Sequence, residues 1–335
     1  MKLSTRLALI PLALLGLAVV ASGSAVAQTP NAGSAPSAPA SFPSWAYPWE
    51  PDFKVPPADD LPQKLPGSTA AFSWKQARDL FVAPDWHPEG HPPAPEVVML
   101  GRKPDVRACG SCHRVDGTGG PENASLAGLP ADYFIQQVAD FKSGARKFSG
   151  PARSGNTLMI ASAKGASEEE VRAAAAYFSS LKPKRVIKIV ETDTVPKTYI
   201  ARLFFAKQPE GGAEPLGRRI IEMPDDVVQF ELRDSRAQFT AYVPLGSVAK
   251  GEALAKTGGS NTTVPCATCH GPDLKGVGSI PGIAGRSPSY IVRQLFDFQQ
   301  GVRVGSASDL MKPTVEKLSQ EDIIALAAYI ASLEP

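Results

Sequence analysis

The chain has 335 residues, with 35 Lys and Arg against 33 Asp and Glu, and only four Cys and four His. Its length suggests two or three domains, and a composition 43% apolar and 20% charged is that of a globular protein. A formal charge of +2 excludes a strongly basic nucleic-acid binder, and four Cys are too few for a disulfide scaffold.

Residues 1–27 read as a cleavable export signal. Lys2 and Arg6 make a positive start, an apolar run extends from Leu7 to Val20, and Ala25-Val26-Ala27 supplies the small residues of a cleavage site. Pro11 interrupts the run, which is also shorter than the roughly 18–20 residues a spanning helix prefers. No later segment is apolar enough to span a bilayer. The mature chain is therefore expected in the periplasm, without a membrane span. Cleavage removes two basic residues and leaves a net charge of zero, 33 against 33.

Residues 28–95 form an N-terminal extension that holds 15 of the 32 Pro and all four Trp. Thr29 to Ser41 reads as a flexible Pro/Ala/Ser tether. Disordered segments are poor in aromatics, so Trp45, Trp49, Trp74 and Trp86 predict that 45–95 packs, against another part of this chain rather than a partner.

All four Cys fall in two identical frames, Cys109-Gly110-Ser111-Cys112-His113 and Cys266-Ala267-Thr268-Cys269-His270. C-x-x-C-H is the attachment frame of c-type haem. On a helical turn the two thiols and the imidazole share one face, so the thiols reach the haem vinyl groups and the His reaches iron. A disulfide within each pair, or one zinc site from both pairs, is the competing reading. Zinc would not require a His after each pair, and it usually joins halves closer than 157 residues.

The frames belong to a repeat. A shift of 157 residues places Gly128 on Gly285, Tyr133 on Tyr290, Gln137 on Gln294, Phe141 on Phe298, Gly144 on Gly301 and Arg146 on Arg303. After a five-residue shortening, Met159 meets Met311, Ser167 meets Ser319, Tyr177 meets Tyr329 and Leu181 meets Leu333. Each copy reads as helices joined by loops. Phe134, Val138 and Phe141, and likewise Ile291, Leu295 and Phe298, line one apolar helix face just after Pro130 or Pro288. Ser167 with Glu170 and Ser319 with Asp322 cap the last helix of each copy, and Ser247 to Ala255 predicts a first helix in the second.

Met159 and Met311 lie 46 and 41 residues after their His, in stretches that read as loops able to aim sulfur at iron. Met99 and Met223 have no repeat partner and read as packing residues. His87 and His91 sit in a Pro-rich run and are expected at the surface or in local hydrogen bonds.

This pattern resembles the diheme cytochromes of the cytochrome c4 type. The likeness rests on Cys266 to Gly271, Pro281-Gly282-Ile283-Ala284-Gly285, Tyr290, Gln294, Phe298, Gly301, Arg303, Met311 and Leu326-Ala327-Ala328-Tyr329, with their counterparts in the first copy. It implies two covalently bound c-type haems, each with His and Met on iron (His113 and Met159, His270 and Met311), in two all-α class I cytochrome c domains at 96–183 and 247–335. Departures are Arg114 where the family usually has Gly, Ala124 where the second copy has Pro281, and Leu129 or Arg286 where Gln is usual.

Residues 184–246 stand where the family has a short linker, which leaves its face-to-face domain packing open here. The alternating runs at Val186–Val190, Tyr199–Phe205, Arg219–Met223 and Phe239–Val243 predict a small antiparallel sheet bridging the domains. The expected fold is thus mainly α, with a β-rich insertion and a Pro/Trp-rich extension. The expected function is single-electron transfer between a dehydrogenase donor and an oxidase or reductase acceptor. A diheme peroxidase would need further His ligands, and the chain has none between His113 and His270. A cytochrome subunit of a larger dehydrogenase would have the same haem chemistry as a free carrier.

Overall fold

A computed structural model describes residues 42–150, 152 and 154–335. The predicted export signal and the tether from Thr29 to Ser41 lie outside the described residues.

The extension contributes a short antiparallel pair, β1 (Pro62–Gln63) with β2 (Phe72–Ser73), followed directly by α1 (Trp74–Arg78). Ser73 opens α1 in a reciprocal capping box with Gln76. Trp86 is buried with Leu65, Ala77 and Leu232, and its indole Nε1 donates to the Leu232 carbonyl at 2.7 Å. Ala46 and Tyr47 enter the core of the second repeat. The extension therefore packs on this chain, and Trp86 docks on Leu232 of the insertion.

The first repeat comprises α2 (Glu96–Met99), α3 (Cys109–His113), α4 (Ala131–Ser143), α5 (Ser154–Gly165) and α6 (Glu168–Ser180). Phe134, Val138 and Phe141 of α4 are buried against Phe178 and Tyr177 of α6. Pro130 precedes α4, where the missing N–H costs nothing, and Gly144 closes it at φ 81°.

The insertion holds β3 (Ile187–Glu191), β4 (Thr194–Pro196), β5 (Thr198–Ala201), β6 (Phe204–Lys207), β7 (Ala213–Pro215), β8 (Ile221–Pro224), α7 (Val227–Glu231) and β9 (Phe239–Val243). Its main sheet runs β3-β9-β8 and is mixed, not antiparallel. β3 pairs parallel with β9, Ile187 opposite Phe239, because the long intervening chain lets both strands run the same way. The run from Tyr199 to Phe205 is a hairpin rather than one strand. β5 turns into β6 at Arg202 and Leu203, with Arg202 at φ 58°. Phe239, Ala241 and Val243 face inward on alternate positions of β9 and share the core of the second repeat.

The second repeat comprises α8 (Ser247–Thr257), α9 (Ala267–His270), the pair β10 (Gly276–Val277) and β11 (Ile280–Pro281), α10 (Pro288–Gln299), α11 (Lys312–Val315) and α12 (Gln320–Ser332). The alanines of α12 let α8 cross it closely. Gly251 lies so near that any Cβ there would collide with the Ala325 carbonyl. Reciprocal capping boxes open both α6 and α12.

The two repeats meet directly despite the insertion. Arg146 and Arg303 form an antiparallel bridge, flanked by Lys147 N to Val302 O at 2.9 Å and Val304 N to Ala145 O at 2.8 Å. The Arg146 guanidinium donates to Tyr290 at 2.9 Å and Gln294 at 2.7 Å. That of Arg303 donates to Tyr133 at 2.9 Å and Gln137 at 2.7 Å. Arg286 also crosses the boundary, donating to the Ser125 carbonyl at 2.7 Å.

Candidate functional site

Each C-x-x-C-H frame forms a single helical turn, α3 in the first repeat and Cys266 with α9 in the second. No disulfide joins the four Cys. In the chain before haem attachment, burial pushes the Cys109 thiol up to about 12 and the Cys266 thiol up to about 11, so neither is ionised there.

The His residues are held identically. His113 Nδ1 lies 2.8 Å from the Ala124 carbonyl, and His270 Nδ1 lies 2.8 Å from the Pro281 carbonyl. A carbonyl only accepts, so Nδ1 carries the proton and Nε2 keeps its lone pair for a metal. Burial lowers the pKa of both rings, opposed by these same bonds, and favours the neutral ligand form. Ala124 and Pro281 occupy equivalent places, and their exchange leaves the backbone acceptor unchanged.

The residue after each His leaves the helix at positive φ, 84° for Gly271 and 65° for Arg114. A side chain there is strained by about 1–2 kcal/mol, yet Arg114 is only 1% exposed. Its guanidinium donates to the Phe230 carbonyl at 3.2 Å and lies 5.0 Å from the Phe230 ring. Burial pushes its pKa down to about 10, which leaves it charged at neutral pH.

Met159 lies within α5, and the expectation of a loop there is corrected: the segment from Ser154 to Gly165 is continuous helix. Its side chain packs at the edge of the first core, as does Cys109. Met311 joins a short 3₁₀ turn, Ser308–Leu310, to α11 and packs on the second core, which contains Cys266. Met223 is fully buried and Met99 borders a small cluster with Ala83, Ala108 and Val115. His87 is not at the surface. It is 3% exposed and its Nε2 lies 3.0 Å from Asp234 of the insertion. His91 Nε2 lies 3.2 Å from Asp85, and the Tyr177 hydroxyl lies 3.1 Å from its Nδ1.

The cytochrome c family model matches residues 101–182 and 248–334, which are the two repeats. The chain belongs to the cytochrome c family. It is 28% identical over 233 residues to a thiosulfate dehydrogenase electron acceptor of Thiomonas intermedia, covering 68% of this chain and 80% of that one. It is 27% identical over 232 residues to cytochrome c4 of Azotobacter vinelandii, covering 67% and 84%. A crystal structure of reduced recombinant cytochrome c4 from Pseudomonas stutzeri aligns at 25% identity and a TM-score of 0.44, covering 68% of this chain and 93% of that one. The protein is a diheme, cytochrome c4-like electron-transfer cytochrome with two covalent c-type haems. Two thiols on one turn with an adjacent, pre-oriented neutral imidazole are a donor set that fits this group.

Proposed function

We infer that the protein is an exported single-electron carrier, with Cys109 and Cys112 attaching one haem and Cys266 and Cys269 the other. His113 with Met159, and His270 with Met311, are the iron ligands of this reading. The observation that carries it is the matched bond from each His Nδ1 to a backbone carbonyl, at 2.8 Å in both repeats. Bound haem supplies an iron that gains and loses one electron, and a His/Met pair leaves it no open position for substrate. The chain's part is to fix the imidazole tautomer, present a thioether, and keep the surroundings rigid so that little rearranges on transfer.

Export to the periplasm is supported by Lys2, Arg6, the apolar run and the Ala25-Val26-Ala27 end of the leader. Among the described residues no helix is long and apolar enough to cross a membrane. The donor is a dehydrogenase and the acceptor a terminal oxidase or reductase. Relatives described as thiosulfate dehydrogenase electron acceptors make a thiosulfate-oxidising donor the first to try.

A peroxidase would recruit a further His, but His87 and His91 are engaged by Asp234 and Asp85. Mixing the reduced holoprotein with carbon monoxide tests the reading. No rapid spectral change is expected; prompt binding at either haem, or turnover of peroxide, would contradict a closed carrier.

A further inference from the structure

The two sites share their donor residues but not their surroundings. In the first repeat, residues 114–121 after His113 are all buried. In the second, only Gly271 and Leu274 of the equivalent 271–278 are buried. The difference is made by segments that lie outside the repeats.

The extension covers the Cys109–Cys112 turn. The Ser111 hydroxyl donates to the Leu80 carbonyl at 3.1 Å, the Ala108 N–H donates to it at 3.0 Å, and a Cβ on Gly110 would stand 2.9 Å from the Ala83 Cβ. The insertion covers the loop that follows. Arg114 is held by Phe230, and the Thr118 hydroxyl donates to the Ser235 carbonyl at 3.4 Å. Among the described residues, the second site has no such cover. Thr268 is exposed, and apolar side chains flank three of its segments: Val264 before Cys266, Val277 beside Gly271 and Leu310 beside Met311, at 38%, 58% and 70% exposure.

We propose that the protein exchanges electrons with outside reagents through the second site alone. The extension and the insertion close the first site, which fills and empties only through the second, across the Arg146–Arg303 boundary. The molecule is then a two-electron reservoir with one port. This proposal rests on the electron-carrier reading.

The test uses the full-length reduced holoprotein oxidised by excess hexacyanoferrate(III). One electron passes to each hexacyanoferrate(III), which becomes hexacyanoferrate(II), with no bond made and no proton moved. Val277→Glu puts a negative charge at the port, Val277→Lys a positive one, and Val228→Glu puts a negative charge on α7, where Val228 is 53% exposed on the cover of the first site. Val277→Glu is expected to slow every concentration-dependent phase about two- to threefold, Val277→Lys to speed every phase similarly, and Val228→Glu to change none, since screening confines each charge to about 8–10 Å. The opposite signs at one position separate a charge effect from damage to the fold. Amide NMR with the inert paramagnetic trianion hexacyanochromate(III) gives a second readout, expected to broaden Thr268 and Val277 but not Ser111 or Thr118. A phase slowed by Val228→Glu, a phase untouched by both Val277 variants, or broadening at Ser111 and Thr118 would overturn the proposal. Failure of the carrier reading looks different: the holoprotein would not give up two electrons reversibly.

Discussion

Arg146 and Arg303 are equivalent residues of the two repeats, and they pair with each other across the boundary between them. Each guanidinium is shared between a Gln of its own repeat and a Tyr–Gln pair of the other. An insertion of some sixty residues therefore does not part the two halves; it folds to one side and leaves repeat facing repeat. Each planar fork answers a Tyr hydroxyl and Gln oxygens at once, a geometry that a lysine could not reproduce.

Replacing Arg303 by Met removes a charged donor from half-buried Tyr133 and Gln137. The expected cost is about 1.5–3 kcal/mol in urea denaturation, with Lys restoring little of it. Differential scanning calorimetry is expected to show the single transition broadening or splitting as the repeats uncouple.

Phe230 joins the insertion to the first site. Its ring stands edge-on to Phe204 at 4.7 Å and to Phe239 at 5.5 Å, and its carbonyl accepts from Arg114. Phe230→Ala is expected to cost about 3–5 kcal/mol by the same denaturation assay.

Trp86 ties the extension to the insertion through a buried bond to the Leu232 carbonyl, beside the buried contact of His87 with Asp234. Trp86→Phe keeps most of the apolar contact but strands that acceptor, for an expected loss of about 1–3 kcal/mol. A melting temperature equal to that of the parent would mean that this bond does not brace the insertion.

Glu222 gives a pH signature. It is buried, and burial raises its pKa above the ordinary glutamate value of 4.5, against the lowering effect of bonds from Ser287 and Ser289. Below 4.5 the carboxyl is protonated in the folded and unfolded chain alike, and no penalty arises. As pH rises past that value the unfolded chain ionises first, so this group's contribution to stability falls with pH until its own raised pKa is passed. Glu222→Gln keeps an acceptor oxygen for Ser289 and cannot ionise. Melting temperatures taken across this range are expected to decline less steeply in the variant than in the parent.

Much of the candidate site was legible in the sequence because it is local. Two Cys, three apart, with a His next to them need only one helical turn, and a shift of 157 residues displays the second copy. The Nδ1 acceptors are backbone atoms and carry no side-chain signal. Their equal offset, eleven residues after each His, was the one trace they left. Pairings between distant segments were not legible. β3 against β9 and Trp86 against Leu232 are set by tertiary packing, not by periodicity. The β5–β6 turn was hidden because Arg202 takes a positive φ that a sequence usually advertises with Gly or Asn. Met159 read as loop because Gly155, Asn156 and Thr157 are weak helix formers; the segment folds as α5 all the same.

The central claim is that two closed His/Met haems carry one electron each. A spectroscopic redox titration of the purified holoprotein tests it most directly. Two reversible one-electron waves are predicted, with an oxidised-form band near about 695 nm that falls by half in Met159→Ala and by half in Met311→Ala. A band absent from the parent, or unchanged when either Met is removed, would contradict the account.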